Sequence, residues 1–288
     1  MLRKFCDRLG FDPDCTEVLL SAVEALGPAL EETVGRYLAD ERLKAIDAVA
    51  TLPAEEIGIA DKTRDAAFVL LAFFRERDAF LHDCGEEIYY DTARDLVWKT
   101  RECNMRYGYY GTSAITWHDL LLRRTLFALG RLQFHIVPFY PEIYVGTRRT
   151  IVHGAPVIKV HIPSSGRITE EECLDSYRRA YRFFRDRFDT DEIPFLCISW
   201  LLDPELSEKM PEGGIAAFAA PYRIFDCKDD PKSLDLWRVF GHLADGDRRD
   251  LPRDNRLRAI LADRIEMGGC MRNGYGIFLH NGEKPIEC

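Results

Sequence analysis

GRLQFHIVPF, Gly130 to Phe139, is where the hydrophobic period of this chain changes. Leu132, Phe134 and Ile136 alternate with Gln133 and His135, and that period of 2 is the mark of a strand with one face buried. The same alternation returns in VIKVHI, where Ile158, Val160 and Ile162 alternate with Lys159 and His161. Upstream the apolar spacing is 3.6. Val18, Leu19, Ala22, Val23 and Leu26 share one helix face and Leu30, Val34, Tyr37 and Leu38 another, with Gly27-Pro28 between them. Further helical patterns run over 59–82, 86–105 and 114–129. The spacing therefore predicts an α+β protein: an all-helical domain over 1–129, then a mixed, largely antiparallel sheet flanked by helices over 130–288.

Within the second half, 143–152 reads as a strand leaving through the turn at His153-Gly154-Ala155-Pro156. The three strands 131–139, 143–152 and 157–162 then suit an antiparallel meander, since no crossover helix fits between them. Thr169 and Glu172 form a capping box for a helix whose apolar stripe is Leu174, Tyr177, Tyr181, Phe184 and Phe188. Beyond it the pattern predicts strands at 195–202, 216–225 and 275–279 and helices at 203–209, 233–240 and 255–267. The glycine-rich string Met271–Gly276 follows a helix and precedes a strand, and reads as a turn rather than a phosphate loop.

Composition narrows the function classes. Residues are 47% hydrophobic and 30% charged, an ordinary globular mixture. The net charge of −9 opposes nucleic-acid binding, which needs basic patches for the phosphates. That charge is uneven: 16 basic against 23 acidic residues up to Gly130 leaves −7, and 23 against 25 beyond it leaves −2, so an anionic ligand favours the second half. The longest apolar run, Ala66 to Phe74, is far short of the ~20 residues that span a bilayer. Met1–Asp12 lacks a secretory h-region. Nine cysteines, an odd number without a C-x-x-C pair, argue against zinc and against a disulfide framework. The expectation is a cytoplasmic protein with free thiols, no metal and no membrane or nucleic-acid partner; the oligomeric state is not readable.

Several stretches carry a family resemblance. HIPSSGRITEEECLDS from His161, RAYRFFRDRF from Arg179 and CISWLLDPEL from Cys197 resemble bacterial acyltransferase-like proteins with a helical N-terminal acyltransferase domain and a GNAT-like C-terminal domain. DTARDL at 91–96, LGRLQF at 129–134, LPRDNRLRAILADRIEMGG from Leu251 and GYGIF from Gly274 extend the likeness from Asp91 to the end. The chain departs from the family after Pro211, where Gly213-Gly214 and Phe218-Ala219 replace a Ser-Asn turn and a Phe-Gln pair. The resemblance implies a GNAT-like fold and transfer of an acyl group from coenzyme A to a small-molecule amine, with acyl-CoA as co-substrate.

Strand 157–162, loop and capped helix follow the order by which GNAT enzymes hold a pyrophosphate at a helix N-terminus. Ser164, Ser165, Gly166 and Arg167 supply hydroxyls, a flexible backbone and a guanidinium suited to phosphate. The usual Gln/Arg-x-x-Gly-x-Gly/Ala loop is absent, and Glu170, Glu171 and Glu172 bring negative charge, so an ordinary capped connection competes with a phosphate loop. An amine must be neutral to attack a thioester, and His161, on the polar strand face near that loop, is the candidate general base. Ser199 is the candidate neighbour that meets the acyl end. His135, Tyr222 and a Cys197–His161 nucleophilic pair are weaker candidates, each with a structural reading beside the functional one. The competing reading for the whole chain is a GNAT-like protein that binds acyl-CoA or another metabolite without turning it over.

Overall fold

Seven α-helices precede the first strand in the computed structural model, which describes all 288 residues and divides into two compact units, Met1–Ala128 and Leu129–Cys288. The helices are α1 (Leu2–Leu9), α2 (Pro13–Ala39), α3 (Ala45–Val49), α4 (Asp61–Cys84), α5 (Glu86–Ala93), α6 (Asp95–Tyr107) and α7 (Ile115–Leu122). Helix α2 is broken at Gly27, whose φ of 48° and ψ of −128° are not helical, where Gly-Pro divides the two apolar faces. Between charged ends, the middle of helix α4 is apolar all round, and every residue from Ala66 to Phe73 is buried, which makes this stretch the central rod. Helices α2, α5, α6 and α7 pack on it. No helix is long and apolar enough to cross a membrane.

The expected helix at 114–129 ends at Leu122. Arg124 takes a left-handed φ of 54°, and Phe127–Leu129 forms a short strand, β1. The others are β2 (Leu132–Pro138), β3 (Ile143–Val145), β4 (Thr150–Val152), β5 (Pro156–His161), β6 (Ile193–Ser199), β7 (Arg223–Asp230), β8 (Met271–His280) and β9 (Pro285–Ile286). The main sheet runs β1-β2-β5-β6-β8-β7, with β9 on β8. All pairings recorded residue by residue are antiparallel except β5–β6. The meander is thus corrected: β2 pairs directly with β5, from Gln133↔His161 to Pro138↔Pro156, and 143–152 folds back on itself as a separate hairpin, Ile143↔Val152. Gly146 makes that hairpin turn; a Cβ there would lie 2.5 Å from the Cys288 carbonyl.

Helix α8 (Glu170–Phe184) begins as its capping box predicts, the Glu172 amide donating to Thr169 Oγ1 at 3.3 Å. Its buried stripe is Cys173, Ser176, Tyr177, Ala180 and Phe184, with Leu174 and Tyr181 on the flank. Tyr177 packs edge-on against Phe134, Phe195 and Phe278 of β2, β6 and β8, the core of one sheet face. The opposite face holds Val137, Phe139, Val157, Leu196, Ile277 and Leu279 beneath Tyr144 and Ile151 of the hairpin.

Three further expectations change. Strand 195–202 stops at Ser199, and Trp200–Leu202 is a 3₁₀ turn leading into α9 (Pro204–Lys209). The expected strand at 216–225 is a helix, α10 (Gly214–Ala219), followed by β7; Gly213, at φ 101°, allows the helix to start, and Pro221 separates helix from strand. The string Met271–Gly276 is not a turn but the first half of β8. Its glycines answer a tertiary demand, since a Cβ at Gly274 would sit 2.0 Å from the Leu202 carbonyl and one at Gly276 2.8 Å from the Leu202 side chain. Short α11 (Trp237–Phe240) and α12 (Arg256–Glu266), capped by Asn255, complete the unit.

Candidate active site

The only parallel neighbours in the sheet's recorded pairings separate early. Strands β5 and β6 pair at Ile158↔Phe195 and Lys159↔Leu196 and nowhere beyond, although β5 continues to His161 and β6 to Ser199. A wedge therefore opens at the C-terminal ends of these strands. Their last backbone groups are released from the ladder there, and a chain-like ligand can bond to them instead. Loop 162–169 and the N-terminus of α8 follow directly from β5.

That loop is held from one side. Arg131, at the entry to β2, donates from Nη1 to the Pro163 carbonyl at 3.0 Å, from Nη2 to Gly166 at 2.8 Å and from Nε to Arg167 at 3.4 Å. Its own amide donates to Ser176 Oγ of α8 at 2.8 Å, and Gly130, at φ 81°, lets the chain pass that hydroxyl closely. Ser165, Gly166, Arg167 and Ile168 have amide N–H groups with no acceptor in the protein. With the open first turn of α8 they form a run of donors suited to an anion. Gly166, at φ 103°, takes a backbone conformation that other residues rarely adopt. Against this stand Glu170 and Glu171, both exposed; Glu172 is occupied, accepting from Thr169 Oγ1 at 2.6 Å. A cavity of about 640 Å³, within the range of small-molecule sites, lies beside that first turn. Cys173, Leu174 and Tyr177 line it on one side and Ala217, Ala220 and Tyr222 on the other.

On the β2–β5 face, His161 Nε2 lies 3.0 Å from His135 Nε2, with the rings edge to face. One ring must donate and the other accept, so each fixes the other's tautomer. Burial, with Lys159 adding to it, lowers the His135 pKa to about 4, so this ring is neutral near pH 7. Burial likewise lowers Lys159, whose ammonium stands 5.4 Å from the centre of the Tyr140 ring.

The sequence candidates are only partly brought together. His161 and Ser199 end the two diverging strands, but alternation from the paired positions sends Ser199 to the face of Phe195 and His161 to that of Leu196. Ser199 Oγ also accepts the Leu201 amide at 3.2 Å as cap of the 3₁₀ turn. Cys197 is fully buried, on the face away from His161, and burial pushes its thiol up to about 12, which removes the nucleophilic pair. Tyr222 is packed against Phe218 and Phe278, its hydroxyl 3.1 Å from that of Tyr177; burial raises its pKa well above 10 and keeps it protonated. Arg131 has no signal in the sequence, because its partners are backbone carbonyls, which leave no side-chain pattern. No cluster of three or more His, Cys, Asp or Glu side chains is arranged to hold a metal ion, and none of the nine cysteines forms a disulfide.

Solved structures with a similar fold include an acyltransferase in complex with decanoyl-CoA and teicoplanin, 22% identical, with a TM-score of 0.73 over 96% of this chain and 86% of that one. An acyltransferase mutant in complex with octanoyl-CoA is similar at 22% identity and a TM-score of 0.72, with the same coverage. No curated protein matches. The family model described as the GNAT-like C-terminal domain matches residues 126–278, from β1 through the wedge and loop to β8. Because that match spans more than half of the residues, the chain belongs to the GNAT-like C-terminal domain family.

Proposed function

We propose that the protein is an acyl-CoA-dependent N-acyltransferase, cytoplasmic, with a helical domain over 1–129 and the donor site in the domain over 130–288. The observation that carries this reading is the early parting of β5 and β6 beside a loop of unaccepted amides. The diphosphate of acyl-CoA sits on Ser164, Ser165, Gly166, Arg167 and the first turn of α8, and the thioester enters the wedge. Decanoyl-CoA and octanoyl-CoA in the similar structures support this class of donor.

In the reaction a neutral small-molecule amine attacks the thioester carbonyl, a C–N bond forms and the C–S bond breaks. His161 takes the proton that the amine loses, and the departing thiolate takes one from solvent. The imidazolium so formed donates to His135, which burial keeps neutral and so able to accept. Ser199, its oxygen engaged by Leu201, keeps a hydroxyl proton to orient the acyl carbonyl or a water.

Thermal shift with acyl-CoAs of several chain lengths, followed by thiol release with pooled amines, tests the reading. Stabilisation with amine-dependent release is expected, and His161→Ala should lower the rate by ~10²–10⁴-fold with little change in melting temperature. Stabilisation without release would identify a binding protein, and absence of both would refute the donor site.

A further inference from the structure

Arg131 is a half-buried cation with no carboxylate partner, because all three of its side-chain hydrogen bonds end on carbonyl oxygens of one loop. Most other arginines of this unit, among them Arg179, Arg185, Arg253 and Arg264, are paired with acids. A trans peptide carries its C=O and the following N–H on opposite sides. Drawing the Gly166 and Arg167 carbonyls towards Arg131 therefore turns the Arg167 and Ile168 amides away from it, and these are among the amides that find no acceptor. The same side chain thus fixes the orientation of the donors and places behind them a positive charge that no carboxylate bonds, Glu172 acting on it only through space.

We propose that Arg131 is the positioning residue of the diphosphate loop, presenting the Arg167 and Ile168 amides and supplying from behind the charge that the diphosphate neutralises. This rests on the acyl-CoA reading above and adds to it a residue outside the loop. Desolvation of the guanidinium, which lowers its pKa, is consistent with a cation whose counter-charge arrives with the ligand.

The experiment uses the full chain and two probes, octanoyl-CoA and octanoyl-pantetheine, which share thioester and pantetheine, the first carrying in addition the diphosphate and its 3′-phosphoadenosine. Isothermal titration at low salt gives the ratio of their dissociation constants. Arg131→Gln should shrink that ratio by about tenfold or more. Arg131→Lys, which keeps the charge but not the three-way fork, should shrink it less, and it carries the test if Arg131→Gln does not fold. An unchanged ratio in a folded variant overturns the proposal, as does equal weakening of both probes, which marks a purely structural arginine. If the parent itself binds octanoyl-CoA no better than octanoyl-pantetheine, the diphosphate site fails and the positioning role fails with it; a parent that discriminates beside a variant that does so equally well refutes the positioning role alone.

Discussion

Asp203 is the buried carboxylate on which two distant stretches converge, and its removal should be among the costliest changes in the second unit. Its side chain is 1% exposed, Oδ2 takes a hydrogen bond from Arg264 Nη1 at 2.6 Å, and Oδ1 accepts the Glu205 amide at 3.1 Å to cap α9. Breaking a buried ion pair by deleting one partner costs about 3–5 kcal/mol because the other charge is left uncompensated. Glu205, 2.8 Å from Arg264, compensates part of that charge, so the lower end, about 3 kcal/mol, applies to the pair. Loss of the cap adds about 1 kcal/mol. At roughly 2–4 °C per kcal/mol for a domain of this size, Asp203→Ala should lower the melting temperature by about 8–16 °C in scanning calorimetry. Asp203→Asn, which keeps a capping oxygen, should lose less. In the double variant with Arg264→Met the second change should recover part of the loss, since the stranded charge is gone. A fall under about 3 °C for Asp203→Ala, or strictly additive losses in the double variant, would refute the reasoning.

Other outcomes follow from the same geometry. Burial lowers His135 and His280 to about 4, below the ~6.5 of an unfolded chain. Each therefore contributes stability that is full above pH ~6.5 and is lost as pH falls through 4, and near pH 5 unfolding takes up almost two protons through them, a slope of ~2.4 kcal/mol per pH unit from urea titrations; a slope under ~1 would contradict the burial. Gly274→Ala should cost roughly 2 kcal/mol or more in urea unfolding, because its Cβ would meet the Leu202 backbone at 2.0 Å, and a neutral result would mean the turn 200–202 moves freely. Arg167→Glu should weaken octanoyl-CoA binding at low salt, and unchanged affinity would place the diphosphate elsewhere.

What the sequence disclosed was whatever neighbours along the chain determine. The capping box at Thr169 and Glu172, the Gly27-Pro28 break and the alternation that puts Lys159 and His161 on one strand face are all local, and each is present. The resemblance is most specific at HIP and SWLLDP and extends to LADRIEMGG, and the structure joins the last two, since Asp203 and Arg264 meet across 61 positions. The errors came where a distant contact overrides the local signal. Met271–Gly276 carries turn residues, yet the glycines are there to admit the Leu202 backbone over a strand. The segment 143–152 carries strand residues, but the glycine turn at Gly146 folds it in two and leaves β2 free to pair with β5. The wedge between β5 and β6 is a matter of register, which composition does not encode, and the His135–His161 contact joins two polar faces whose pairing only the sheet order reveals.

The position of the bound donor decides whether loop 162–169 is the diphosphate site, and a crystal structure of the full chain soaked with octanoyl-CoA measures it. The diphosphate is expected on the Ser165–Ile168 amides in front of Arg131, the pantetheine along the released edge of β5, and the thioester between the ends of β5 and β6 beside His161. Octanoyl-CoA found away from loop 162–169, or a wedge closed by continued β5–β6 pairing beyond Lys159 and Leu196, would contradict it.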